Sequence, residues 1–286
     1  MDKRTTRVLL GVGLAVVAGV AVTAPGLLSA TDSHAGTVHA TTLSPQTVAM
    51  MDDITAVFEQ GANAPQYANI ENDQDGCGWT AGWIGFCSQS GDMLALVKQY
   101  NAAEPDNVLA KYTATLQKLA DTSSDDVSAL GAAFPTDWKK AATDPVFVQT
   151  QLKVGHDTYL TPALAQAEQA GVTTSLGIEN FFDTALMMGP GATDCDGLPK
   201  LVKETTDAAG GTPASGVEEK TWLTAFNQIR AKHMKNPCTP GRQADWPQAV
   251  DRTTALQKLA DDGNIDLTAP LTIGADFNIT ITNPHD

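Results

Sequence analysis

Positive charge is scarce in this chain. Its 286 residues carry 18 Lys and Arg against 33 Asp and Glu, a formal net charge of -15. A surface of that sign repels nucleic acid and anionic membrane, so a nucleic-acid partner is not expected. Histidine is also rare, with five in the chain, and these sit far apart in sequence. The four cysteines, Cys77, Cys87, Cys195 and Cys238, contain no Cys-x-x-Cys spacing. Zinc therefore finds no recognisable ligand set, and no metal or other cofactor is implied. No Lys-Ser/Thr follows the glycines of 76–91, which argues against a phosphate loop. No Ser/His/Asp arrangement stands out.

Long apolar runs are missing apart from Val8 to about Val22, which is short for a spanning helix and is followed by Pro25-Gly26. Lys3, Arg4 and Arg7 precede it, and Ser33-His34-Ala35 follows with small residues of the kind a signal peptidase reads. Residues 1–35 are thus expected to be a secretion signal, with cleavage after Ala35 and cuts near Ala30 or Ala40 as alternatives. The remaining chain, 36–286, is expected outside the cell as a monomer free of the membrane. Its acidity attracts polycations, although simple solubility would also favour it. An exported chain with an even number of cysteines suggests disulfides. Cys77–Cys87 with Cys195–Cys238 is the local pairing; one pair free and buried is the alternative.

What is present is mostly helical signal. Ser44 and Pro45 open a first helix whose apolar face is Val48, Met51, Ile54 and Phe58, and Gly61 and Pro65 stop it. Residues 62–91 mix glycines with Tyr67, Ile70, Trp79, Thr80, Trp83 and Phe86, which reads as a small bent antiparallel sheet. Further helices are expected around 93–100, from an Asp106 cap to Leu119, over 138–152 and 162–170, at 174–188, 198–208 and 217–235, and around 250–259. Residues 120–136 read as a loop between lobes, and the tail from 264 as β-like or irregular. The expected fold is mainly α (α+β), two lobes with a small antiparallel sheet beside the cleft between them.

Glu59 ends the first helix directly after a core phenylalanine. The helix dipole opposes a carboxylate there, which helps keep an acid protonated. Asp75 sits among polar residues and glycines, close to Glu71 and Asp73. An inverting glycosidase needs one protonated carboxyl and one ionised carboxylate, roughly 6.5–9.5 Å apart, with water between the base and the sugar. A helix-end Glu facing a glycine-flexed Asp across a cleft suits that chemistry, and their environments differ in the required direction. Tyr67, Trp79 and Trp83 could pack on sugar faces; core packing is the competing role for the two tryptophans. Asp183 lies on an otherwise apolar helix, where a charge needs a partner. Arg230 ends another apolar-faced helix, and the two could simply pin their helices together.

The stretch from Tyr67 to Asp92, with Glu71-Asn-Asp-Gln-Asp75-Gly-Cys-Gly-Trp-Thr80 at its centre, resembles the signature region of the chitosanases of glycoside hydrolase family 46. Further similar blocks are Glu104 to Tyr112, Phe182 to Gly191, Thr221 to Arg230 and Gly263 to Leu267, so that the likeness runs from about 45 to 272. The resemblance implies a lysozyme-like, two-lobed catalytic domain over 36–286. It implies endo-acting, inverting hydrolysis of β-1,4 links between glucosamine units of chitosan, with no cofactor. The family's general acid falls on Glu59, its general base on Asp75 and its water-positioning threonine on Thr80. Its substrate-binding residues fall on Tyr67, Glu71 and Asp92, the two carboxylates meeting glucosamine ammonium groups. Its buried network behind the base falls on Asp183, Arg230 and Arg252, with Arg242 as the alternative to Arg252. Two departures stand out: Cys77 occupies a position where the family often has Arg, and the segment between Glu59 and Tyr67 is two residues shorter. The rival readings are a lysozyme-like enzyme acting on peptidoglycan, poorly matched to an acidic surface, and a non-catalytic binder of amino-sugar polymers.

Overall fold

The computed structural model describes residues 43–285 except Ala275. The expected signal segment, 1–35, lies outside the described residues. Helix α1 (Pro45–Gln60) starts as its sequence dictates: the Ser44 hydroxyl accepts the Thr47 amide at 3.1 Å. It stops at Gly61, whose left-handed φ of 62° lets its N–H cap the last turn. A three-stranded antiparallel sheet follows, β1 (Ile70–Glu71), β2 (Thr80–Ala81) and β3 (Phe86–Cys87), in the order β1-β2-β3. In its register Glu71 faces Thr80, and Thr80 faces Cys87.

Helices fill most of the rest. α2 (Asp92–Ala103) leads to α3 (Thr113–Thr122) through a 3-10 turn at Ala110–Tyr112. The expected cap at Asp106 is therefore corrected. Asn107 organises this bend instead, accepting the Leu109 amide at 2.8 Å and donating to Asn101 at 2.7 Å. Residues 120–136 are more ordered than a loop. They hold the end of α3, a 3-10 turn at Val127–Leu130 capped by Asp126, and the start of α4 (Phe134–Ala141). The helix expected over 138–152 is two helices. Asp144 caps a fresh start by accepting the Val146 amide at 2.9 Å, and Pro145 opens α5 (Pro145–Gly155). A π-helical turn at His156–Leu160 carries the chain into α6 (Thr161–Ala170), where Pro162 sits at the start.

α7 (Ser175–Met188) is the central element, and every residue from Leu176 to Met188 is buried. α8 (Leu198–Ala209), α9 (Glu219–Lys235) and α10 (Asp251–Asp261) pack around it, and β4 (Leu271–Ile273) and β5 (Ile279–Ile281) form a closing hairpin. One aromatic cluster, Tyr100, Tyr112, Phe134, Trp138 and Phe147, fixes α2 through α5. A second, Phe181, Trp222 and Phe226, stacks α7 on α9. Trp83 is wholly buried and its indole donates to the Gln151 carbonyl at 3.0 Å, so it belongs to the core. Both disulfides have the local pairing, Cys77–Cys87 and Cys195–Cys238. Among the described residues no helix is long and apolar enough to cross a membrane.

Candidate active site

Glu59 is carried by the last turn of α1 and is 5% exposed. Its Oε1 accepts from Arg252 Nη2 at 2.9 Å. The same nitrogen reaches the Phe58 carbonyl at 3.3 Å, and the guanidinium lies 5.2 Å from the Phe58 ring. Arg252 thus caps a helix end whose carbonyls would otherwise lack donors. Its other terminal nitrogen, Nη1, donates to Asp183 Oδ1 at 3.0 Å, and Arg230 Nη2 takes Asp183 Oδ2 at 2.5 Å. Burial pushes the Glu59 carboxyl above its ordinary value, against the pull of Arg252.

This arrangement answers one sequence question and corrects another. Arg252, and not Arg242, completes the chain with Asp183 and Arg230. The chain ends on Glu59, however, and among the described contacts none joins it to Asp75. The network expected behind the base lies behind the helix-end glutamate. The reason is topological: α10 passes the end of α1, whereas Asp75 projects from the β1–β2 connection.

Asp75 has a different environment. It is exposed, and its Oδ1 accepts the Cys77 amide at 3.0 Å in a tight turn. The Cys77–Cys87 disulfide ties this turn to β3, with the Cα atoms 5.2 Å apart. The Ser88 hydroxyl donates to the Cys77 carbonyl at 2.8 Å and accepts the Trp79 amide at 2.9 Å. Gly78 has φ of 73°, and a Cβ there would stand 2.7 Å from both Ser88 Oγ and Val127 Cγ1, so only glycine fits. A pocket of about 230 Å³ opens beside Asp75. The disulfide forms part of its wall, and Pro240, Gly241 and Arg242 form another part. Arg242 also pairs with Asp245 at 3.1 Å.

The other expected residues fall around these two carboxyls in several ways. Thr80 is buried in the central strand, directly across from exposed Glu71. Asp92 is 8% exposed, and its Oδ1 accepts the Cys87 and Met93 amides at 3.0 Å each and the Ser90 hydroxyl. It therefore locks β3 to the start of α2, and burial pushes its carboxyl up to about 7. Tyr67 is half-buried; its hydroxyl points inward without a hydrogen-bond partner, so the ring is the part left to meet a ligand. Its carbonyl accepts from Trp138 Nε1 and Gln151 Nε2, both at 3.1 Å.

Sequence reasoning missed Glu179. It is fully buried on α7, one turn before Asp183, and neither carboxylate oxygen has a hydrogen-bond partner. A second acid on the same face of an apolar helix was the available signal. It also missed two carboxylate–histidine contacts, Asp52 with His156 and Asp53 with His285, both at 2.7 Å. Cys195, Asp196 and Cys238 cluster closely enough for a metal, but the two sulfurs are joined to each other and offer no thiolates.

A model of glycosyl hydrolase family 46 matches residues 53–271. A chitosanase of Streptomyces sp. (strain N174) is 36% identical over 273 residues, covering 94% of this chain and 94% of the relative. A chitosanase of Bacillus subtilis (strain 168) is 35% identical over 235 residues, covering 82% and 84%. The solved structure of a mutant chitosanase from Bacillus subtilis MY002, complexed with 6 GlcN, superposes with a TM-score of 0.77 at 33% identity. That match covers 84% of this chain and 100% of the other.

Proposed function

The chain belongs to glycosyl hydrolase family 46 and is an O-glycosyl hydrolase acting within chitosan, and from that premise we propose that it inverts the β-1,4 linkage using Glu59 as general acid and Asp75 as general base. The observation that carries this assignment is the contrast between the two carboxyls. Glu59 is buried, at a helix end, and displaced toward its protonated form. Asp75 is exposed on a turn braced by a disulfide. An inverting hydrolysis needs those two states at once.

In the proposed step Glu59 gives its proton to the glycosidic oxygen as the bond from that oxygen to the anomeric carbon breaks. Water attacks the anomeric carbon from the opposite face, and Asp75 takes the proton the water loses. Thr80 helps hold this water. Asp183, Arg230 and Arg252 fix the acid's carboxyl. Exposed Glu71 meets the ammonium groups of glucosamine units, the ring of Tyr67 packs on a sugar, and Asp92, expected beside them, is instead buried and holds β3 to the start of α2. The acidic surface raises the local concentration of a polycationic substrate. The protein acts as an extracellular monomer, without cofactor, nucleic-acid or membrane partner.

The test is direct. Residues 36–286 are incubated with soluble, largely deacetylated chitosan near pH 5–6, and reducing ends and the anomeric form of the first products are followed. Products released first as the α anomer support inversion; β products would reject it. Glu59→Gln and Asp75→Asn should each lose about 10²–10⁴-fold in kcat. Activity that survives in Glu59→Gln would move the acid elsewhere, and binding without any new reducing ends in the parent would reject a hydrolase.

A further inference from the structure

Glu179 is a charge problem that the proposed reaction does not use. It is 0% exposed, and Oε1 and Oε2 are buried without a hydrogen-bond partner. Arg230 is 0% exposed as well, and its Nε and Nη1 are also unpartnered. An isolated ionised carboxylate in such a place is costly, and a protein normally neutralises it. The groups facing Glu179 come from several elements. Asp183 lies one turn on in α7, Arg230 comes from α9 and Arg252 from α10. Asp52 of α1 also acts on it and forms a pair of its own with His156 from the π-helical turn. Asp53, the next residue, is engaged by His285.

The charges of the central cluster can be counted. Arg230 and Arg252 are cations that do not deprotonate in proteins. Asp183, held by both, is one anion. One further anion makes the buried cluster neutral, and two carboxyls compete to supply it, Glu59 and Glu179. We propose that Glu59 and Glu179 share a single proton, so that Glu179, when ionised, keeps the proton on Glu59 and holds it competent as a general acid. Glu179 is then a positioning residue that acts through charge, by way of the Arg230–Asp183–Arg252 chain. Opposed preferences make the sharing close. Arg252 bonds Glu59 directly and favours its anion, whereas the unpartnered Glu179 favours its neutral form.

The inference rests on Glu59 being the acid, and the experiment separates the two claims. Glu179→Gln removes the competing anion without changing shape. Glu59 is then the one group left to balance the charge that Asp183 does not, and it releases its proton at lower pH. The alkaline limb of kcat/KM should move down by about one pH unit or more, with the loss confined to that side. Glu179→Asp, which restores the charge, should bring the limb back toward the parent. A uniform loss at every pH, or an unmoved limb, overturns the proposal in favour of a packing role. A second readout needs no substitution at 179 and no activity. With glutamate carboxyls labelled with ¹³C, infrared spectra at pH 6 should contain one protonated glutamate band in the parent and none in Glu59→Gln, where Glu179 becomes the one anion beside Asp183. A band that persists in Glu59→Gln puts the proton permanently on Glu179 and overturns the sharing. Activity retained by Glu59→Gln would instead reject the acid assignment, independently of the band.

Discussion

At the scale of single residues, burial decides which carboxyls are poised to hold protons. Asp92 is the clearest case outside the Glu59 cluster, because burial pushes it up to about 7 despite three donors on one oxygen. An unfolded aspartate titrates near 3.9. Between about pH 4 and 7 the folded chain therefore binds a proton that the unfolded chain does not. Stability from this group falls as pH rises through that window. Asp92→Asn keeps an oxygen acceptor for the Cys87 and Met93 amides and removes the titration. The drop in urea unfolding free energy between pH 4.5 and 7.5 should be smaller in the variant by on the order of 2–4 kcal/mol. An unchanged drop would show that Asp92 is already ionised at the lower pH. At this scale the sequence was readable where one chain segment held the cause. The helix-end position of Glu59 followed from the Ser44-Pro45 start and the Gly61 stop, and the need of Asp183 for a cation followed from its apolar helix. Glu59's own partner, Arg252, was not readable, since nothing local to either residue says that α10 passes the end of α1.

At the scale of elements, the turn that carries Asp75 depends on cross-links more than on its short strands. β1, β2 and β3 have two residues each, too few to hold a loop by pairing alone. The Cys77–Cys87 bond closes a loop with a sequence separation of 10, and Cys195–Cys238 one with a separation of 43. Loop-closure entropy gives about 3 kcal/mol for the first and about 4 kcal/mol for the second. Replacing each pair by alanines should lower unfolding free energy by roughly those amounts, measured in guanidinium. The functional costs should be ordered the other way. Loss of Cys77–Cys87 frees the turn of Asp75 and should reduce kcat more than loss of Cys195–Cys238; equal effects would show that the turn holds its shape without the bond. The bent sheet was legible from glycine and strand residues, whereas the pairing of the cysteines was open in the sequence and is settled only by which sulfurs the fold brings together. The division of 138–152 was also written locally, in Asp144-Pro145, but the continuous apolar signal masked it. The 3-10 and π-helical turns were not legible, because they are set by how neighbouring helices pack and not by local periodicity.

At the scale of the whole molecule, the net charge of -15 acts over distances that no single contact spans. Attraction of a polycation to an acidic protein is screened within about 10 Å at 0.1 M salt. Raising sodium chloride from 0.02 to 0.5 M should therefore lower kcat/KM on long chitosan by about tenfold or more while changing kcat little. A kcat that falls in parallel would mean that salt perturbs the site itself. The overall architecture was legible as mainly helical with a small sheet, since long amphipathic segments dominate the chain. What no segment could disclose is that the first and the last of the described elements meet. Arg252 donates to a carboxylate 193 residues earlier, and Phe277 of the closing hairpin packs 5.0 Å from the ring of Phe58. A ribosome delivers Glu59 early and its partners near the finish. Until α10 docks, the nascent polymer holds a glutamate whose carboxylate lacks its guanidinium clasp. A chain truncated ahead of residue 252 forfeits that clasp together with the donor to the Phe58 carbonyl.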